Sequence, residues 1–194
     1  MAHERVLENE EVLVTSEERN RGFEKAAKII SADYLKSGVK GIVLVGVLNG
    51  GVVTAVHLGE KLEQNGLDVD LRFIAVGSYG NSKKSSRKPQ LLLAIEPNAI
   101  KGKHVLGVDD VQDGGYTLEY VRCLLNLMDP ESLKLLVLAT KEGNQEVSVK
   151  IDYSIFTLDG KKWLFGSGMD KDGKSRRLAD FIGAVKENGQ LHSS

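Results

Sequence analysis

The chain has 194 residues, 41% of them hydrophobic, enough for one sizeable core, since chains near this length bury roughly 70% of their unfolded surface. Its 26 Lys and Arg stand against 27 Asp and Glu, and a net charge of -1 supplies no general attraction to nucleic acid or to an anionic membrane, so any binding of anions must be local. One cysteine excludes an intrachain disulfide and a thiolate cluster, and the four histidines, His3, His57, His104 and His192, are too scattered for a histidine metal centre.

The polar stretches over residues 1–10 and 186–194 read as loose tails of a single domain spanning 1–194. "MAHERVLENEEVLV" lacks the continuous apolar stretch of a secretory signal, and nothing downstream approaches the ~20 apolar residues of a membrane span, so a cytoplasmic protein is the simplest reading. A first helix starts after Thr15, because "TSEE" offers Thr15 as N-cap and Glu18 as its capping-box partner, with Phe23, Ala26, Ala27, Ile30 and Tyr34 on the apolar face. Gly41 to Leu48 is apolar at nearly every position, as expected of a strand covered on both faces. A helix follows over residues 50–66. Further strands are predicted over 69–79, 91–95, 104–110, 133–140 and 153–158, and a helix over 116–129 with Leu118, Val121, Leu125 and Met128 inward. Cys123 lies in that helix and reads as a small buried side chain; His57 and His104 read as structural. Strands alternate with helices, which implies an α/β fold with a mostly parallel sheet flanked by helices.

In such sheets ligands gather beyond the carboxyl ends of the strands, and two stretches here end a strand with glycines before a helix: "VLNGG" and "DDVQDGG". A glycine turn entering a helix aims unpaired N–H groups and the positive end of the helix dipole at one spot, which suits a phosphate. Asp109, Asp110 and Asp113 would repel that phosphate if they faced it. They must face sugar hydroxyls, a divalent cation or a titratable base instead.

"HVLGVDDVQDGGYTL" resembles the phosphoribosyl pyrophosphate motif of the type I phosphoribosyltransferases: four apolar residues, two acids, two further residues, then Asp-Thr-Gly-x-Thr. Three more segments resemble the hypoxanthine-guanine branch of that family: "VGVLNGG" its pyrophosphate loop, "VGSYGNSKKSS" its mobile loop, and "KKWLFGSGMDKDGKSRRLADFIG" its purine-binding end. The four are collinear from about Ile42 to Gly183. The resemblance implies a type I core with a small purine-binding hood, Mg2+ as cofactor, phosphoribosyl pyrophosphate and a purine base as substrates, and a homodimer or homotetramer. It implies that Asp109 and Asp110 hold the ribose hydroxyls with metal help, that Asp113 is the general base or acid at purine N7, and that Gly114, Gly115, Tyr116 and Thr117 wrap the 5′-phosphate. Asn49, Gly50, Gly51 and Arg176 would contact pyrophosphate, and Asp170 a second magnesium. Lys141 would donate to the purine 6-oxo group, Trp163 would stack on the base and Leu164 would read its edge through the backbone. Ser78 and Tyr79 would belong to the closing flap.

Two positions depart from the pattern. Gly114 stands where the family carries a hydroxyl residue, which removes a donor to the phosphate, and Asp109 stands where the branch often has glutamate, with a shorter reach. Gly114 is also the best sequence argument for a rival reading, a non-catalytic nucleotide sensor or RNA-binding regulator on the same fold. A phosphoacceptor receiver domain is the other rival, but its acidic pair would follow the first strand rather than lie mid-chain. "KKSSRK", residues 83–88, reads as a solvated loop rather than a nucleic-acid patch because the rest of the chain is not basic.

Overall fold

In the computed structural model, residues 10–78, 89–171, 175–176 and 182–185 are described. They run in the order β1 (Glu10–Val14), α1 (Ser16–Lys36), β2 (Gly41–Leu48), α2 (Gly51–Gln64), β3 (Asp68–Ser78), β4 (Pro89–Leu93), a 3₁₀ turn (Pro97–Ala99), β5 (His104–Gln112), α3 (Tyr116–Asn126), β6 (Ser132–Glu142), β7 (Tyr153–Asp159), β8 (Leu164–Phe165) and β9 (Ile182–Val185). The larger sheet has the order β4-β3-β2-β5-β6-β7 and is parallel except for β4 at its edge. This is the mostly parallel α/β sheet that the alternating pattern predicts.

At its centre β2 and β5 pair with Val43 opposite Val105 and Gly46 opposite Val108. Both are apolar at consecutive positions because helices cover both faces. Leu44, Leu106 and Val108 pack with Phe23 and Ile30 of α1 and Leu58 of α2, whereas Val43, Val45 and Val105 pack with Val121 and Leu125 of α3. α1 begins as its sequence predicts: the Glu18 amide donates to the Thr15 hydroxyl at 3.2 Å, and the Thr15 amide donates to the Glu18 carboxylate at 2.9 Å.

A second, antiparallel sheet of order β1-β9-β8 forms a small hood from the two ends of the described chain. Its outer ties are ionic. Lys171 meets the buried carboxylate of Glu10 at 2.7 Å, and Lys162 meets Glu11 at 2.5 Å. None of the three short hood strands is predicted from the sequence, and β1 occupies a stretch that begins at Glu10, inside the polar tail.

Three further expectations change. The strand expected over 91–95 is the edge strand β4, antiparallel and ending at Leu93, with Leu92 and Leu93 exposed. α3 ends at Asn126, although Met128 still packs against the core. Cys123 is exposed rather than buried: the inward stripe of α3 is Leu118, Val121 and Leu125, and helical geometry turns position 123 to the outer face, where its thiol lies 3.8 Å from Glu119 Oε1.

Leu106 has no exposed surface in the central strand. Leu106→Ala is expected to lower the unfolding free energy by about 2–5 kcal/mol, read from urea denaturation; a loss under about 1 kcal/mol, the ordinary range for surface changes, would contradict this packing.

Candidate active site

The carboxyl ends of β2 and β5 each deliver the chain into a helix through glycine, and neither helix has a side-chain cap. Gly50 is the N-cap of α2 and Gly115 that of α3, in both cases without a side-chain hydrogen bond to the first amides, and the first turn of α2 carries no acidic residue. α1, which starts elsewhere, is fully capped by Thr15 and Glu18. The first amides of a helix have no partner within it, so an uncapped start is a donor set awaiting an acceptor.

The glycines do different work. Gly115 needs its conformational freedom: it sits at φ 94° and ψ -11°, in the left-handed region, and a Cβ there would lie 2.7 Å from the Val147 carbonyl oxygen, and Gly168 of the hood, at φ 102°, is the other of these glycines with a positive φ. Gly114 is held from outside, its carbonyl accepting from the amides of Glu146 and Val147 at 3.0 Å each. A Cβ on Gly114 would meet nothing closer than the Tyr116 ring at 3.4 Å. Gly50 is required by close packing, since an added Cβ would fall 1.7 Å from Asp110 Oδ2. Gly51 lies against the Val108 carbonyl, and Gly168 of the hood against the Gly50 carbonyl, at 2.8 and 2.1 Å for their missing Cβ atoms. The Leu48–Asn49 peptide in the same loop is cis. Asn49, Gly50 and Gly51 therefore pass between the acidic end of β5 and the hood.

The acidic pair folds back on its own strand and packs against the start of α2, where Asp110 Oδ2 fills the space beside Gly50. Asp109 Oδ1 accepts the Asp110 amide at 2.9 Å, and Asp110 Oδ1 accepts the Val111 amide at 2.7 Å. Burial, and then the neighbouring charge of Asp110, push the Asp109 carboxyl well above the usual carboxylate range. Burial also raises Asp110, opposed by its hydrogen bonds to Asp109 and the Val111 amide and by the charge of Arg176. A buried pair that resists carrying its charge gains from hydroxyl donors or a cation. Aspartate oxygens are the hard donors magnesium takes, and that ion commonly uses one or two carboxylates, with water and substrate phosphates filling the rest. Among the described residues no three His, Cys, Asp or Glu side chains gather into a metal cluster.

Asp113, just past β5, is half exposed and is gripped at both oxygens. Lys141, at the end of β6 and only 7% exposed, reaches Oδ2 at 3.2 Å, and the Asn144 amide donates to Oδ1 at 2.8 Å. Trp163 is 59% exposed, with its indole N–H donated to the Asp170 carbonyl at 3.2 Å, so one flat apolar surface stands open on the hood loop. Leu164 follows with its side chain buried. Arg176 braces the same loop, reaching Asp170 Oδ1 at 2.6 Å and the Gly168 carbonyl at 2.9 Å. The buried Arg19 of α1 donates to the Ser167 hydroxyl at 3.2 Å, fastening this loop to the main layer. Ser78 ends β3, and Tyr79 lies outside the described residues.

Asn144, Arg19, Glu146 and Gly168 are site residues that the sequence reading misses. Only Gly168 has a local signal, its place in "FGSGMD"; the others are ordinary polar residues whose contacts with Asp113, Ser167 and Tyr116 span 30 or more positions.

The two turn glycines separate experimentally. Gly115→Ala is expected to cost about 1–3 kcal/mol of stability through its left-handed backbone, whereas Gly114→Ala stays within about 0.5 kcal/mol. Equal effects in thermal and urea unfolding would contradict the described turn.

With this geometry in view, comparison with known proteins is specific. Residues 15–172 match the phosphoribosyl transferase domain family. The hypoxanthine-guanine phosphoribosyltransferase of Crithidia fasciculata is 33% identical over 90% of this chain and 85% of its own. The hypoxanthine phosphoribosyltransferase of Haemophilus influenzae is 30% identical over 90% of this chain and 94% of its own. Among solved structures, Trypanosoma cruzi hypoxanthine phosphoribosyltransferase in complex with its product IMP superposes with a TM-score of 0.85 at 31% identity, covering 96% of this chain and 100% of that one. The chain therefore belongs to the phosphoribosyltransferase family, in its hypoxanthine-guanine branch.

Proposed function

We propose that this protein transfers the 5-phosphoribosyl group of phosphoribosyl pyrophosphate to N9 of a 6-oxopurine, giving IMP or GMP and pyrophosphate, in purine salvage. The observation that carries this reading is the pairing of Asp113 with the buried Lys141 at 3.2 Å, beside the uncapped start of α3. N7 and the 6-oxo oxygen lie on one edge of such a purine, so an adjacent carboxylate and ammonium match them as acceptor and donor. The reading puts the base between Trp163 and this pair, with the Leu164 backbone at its other edge.

Each residue then has a physical task. Gly114 to Thr117 hold the 5′-phosphate through backbone amides, and Asp109 and Asp110 accept from the ribose hydroxyls. Asn49, Gly50, Gly51 and Arg176 face the pyrophosphate. The electron pair on N9 forms the bond to C1′ while the bond from C1′ to the pyrophosphate oxygen breaks, and the N7 proton passes to Asp113. Charge develops on ribose and leaving group together, so positioned donors and acceptors lower the barrier more than any covalent step. Asp109, Asp110 and Asp170 would hold magnesium, which supplies positive charge to the donor's phosphates. The flap beginning at Ser78 and Tyr79 would exclude water from the ribosyl centre.

The relatives named above are transferases, which favours turnover over a silent sensor. No helix among the described residues is long and apolar enough to cross a membrane. A cytoplasmic enzyme working as a homodimer or homotetramer, with no nucleic-acid partner, completes the reading.

Incubation with phosphoribosyl pyrophosphate, magnesium and each of hypoxanthine, guanine, xanthine and adenine should yield nucleotide from a 6-oxopurine, and chelation of the metal should stop it. No product from any base would defeat the proposal. Asp113→Asn should fold and bind donor while losing roughly 10²–10⁴-fold in rate; full activity would remove Asp113 from the base role.

A further inference from the structure

Asp113 cannot orient itself. It lies beyond the last residue of β5, half exposed, on a segment that leads straight into the left-handed turn at Gly115. Lys141 holds one oxygen, but under the proposed function that ammonium must also serve the purine 6-oxo group. Once it does so, Oδ2 becomes free to accept a proton, and the carboxylate needs another tie to keep its direction.

Asn144 has the geometry for that tie. Both hydrogens of its amide are committed, one to Asp113 Oδ1 at 2.8 Å and the other to the Gly160 carbonyl at 2.8 Å. Because both partners are acceptors, the nitrogen must face them, and the amide has one orientation. Each anchor is itself fixed. Gly160 is pressed onto the turn after β6: a Cβ there would lie 2.0 Å from the Glu142 carbonyl oxygen and 2.8 Å from Asn144 Oδ1. The next residues along that turn, Glu146 and Val147, donate to the Gly114 carbonyl. The Asn144 amide thus joins the carboxylate of the base to the loop that leads from Gly160 to Trp163, and it does so from the same turn whose Glu146 and Val147 clamp Gly114.

We propose that Asn144 is a positioning residue for the proton-accepting Asp113, holding Oδ1 so that Oδ2 faces the purine when Lys141 turns to the substrate. The inference rests on the base role given to Asp113 above. A neutral donor suits the task, because it restrains a carboxylate without placing a second positive charge beside a base that must take up a proton. The bland alternative is a loop asparagine that stabilises its turn, and it predicts different kinetics. A turn residue would alter stability or binding of both substrates, whereas a positioning residue alters the proton-transfer step.

Asn144→Ala is expected to lower the melting temperature by a few degrees at most, through the lost bond to the Gly160 carbonyl, and to leave the KM for phosphoribosyl pyrophosphate unchanged while lowering kcat with hypoxanthine by roughly 10- to 100-fold, the range for a misplaced catalytic group. Asn144→Asp, with an oxygen where the donor was, should fall at least as far. The loss should shrink with 8-azahypoxanthine, whose more acidic ring needs less help from a base. In an Asp113→Asn background, Asn144→Ala should add no further loss. Wild-type kcat in both Asn144 variants would overturn the proposal, as would an equal loss in the Asp113→Asn background or an equal loss with both purines. Full activity of Asp113→Asn alone would instead bring down the base assignment, a result distinguishable from failure of the tie.

Discussion

The site depends on how the chain leaves β5. A single residue in the left-handed region, Gly115, carries it into α3 with its first amides uncapped, and the carbonyl of Val147 occupies the space that any side chain there would need. The turn is clamped from outside by two hydrogen bonds to the Gly114 carbonyl, so its amides are set before any ligand arrives. Preset donors bind an anion without first having to be ordered. Acids can crowd the same segment because Asp109 and Asp110 bend back onto their own strand's amides rather than onto the first turn of α3.

The parallel sheet turns that local arrangement into a site. β2, β5 and β6 run in register, so their carboxyl ends bring "NGG", the acidic pair, Asp113 and Lys141 to one rim, although these residues span more than ninety positions of chain. The hood supplies the opposite wall. Gly168 brings it onto the Gly50 carbonyl, where a side chain at position 168 would have no room, while Gly50 itself is held to glycine by Asp110 on its other side. Arg19 and Arg176 then brace the hood loop from α1 and from within, and Trp163 is presented on it.

Much of this was legible in the residues, for stated reasons. Strands buried on both faces leave unbroken apolar runs, and a capping box leaves Thr15 and Glu18 at fixed spacing, so β2, β5, β6 and the start of α1 could be read locally. Asp109, Asp110, Asp113 and the two glycines could be read because one contiguous segment carries them. The hood strands could not: β8 has two residues and β9 four, and each exists only through pairing with a distant part of the chain. Cys123 reads as buried only when its apolar neighbours are weighed without their spacing, since the stripe of Leu118, Val121 and Leu125 turns position 123 outward. Asn144 was invisible for a related reason, since its meaning lies in partners at Asp113 and Gly160 that no spacing rule connects to it.

The central claim is that the amides of residues 114–117 receive a terminal phosphate while the neighbouring carboxylates take the sugar. A crystal structure with bound IMP tests it most directly. The account predicts the phosphate on those amides, the ribose hydroxyls at Asp109 and Asp110, and the purine edge at Asp113 and Lys141. A nucleotide bound with its phosphate on any other element, and that turn facing only solvent, would contradict it.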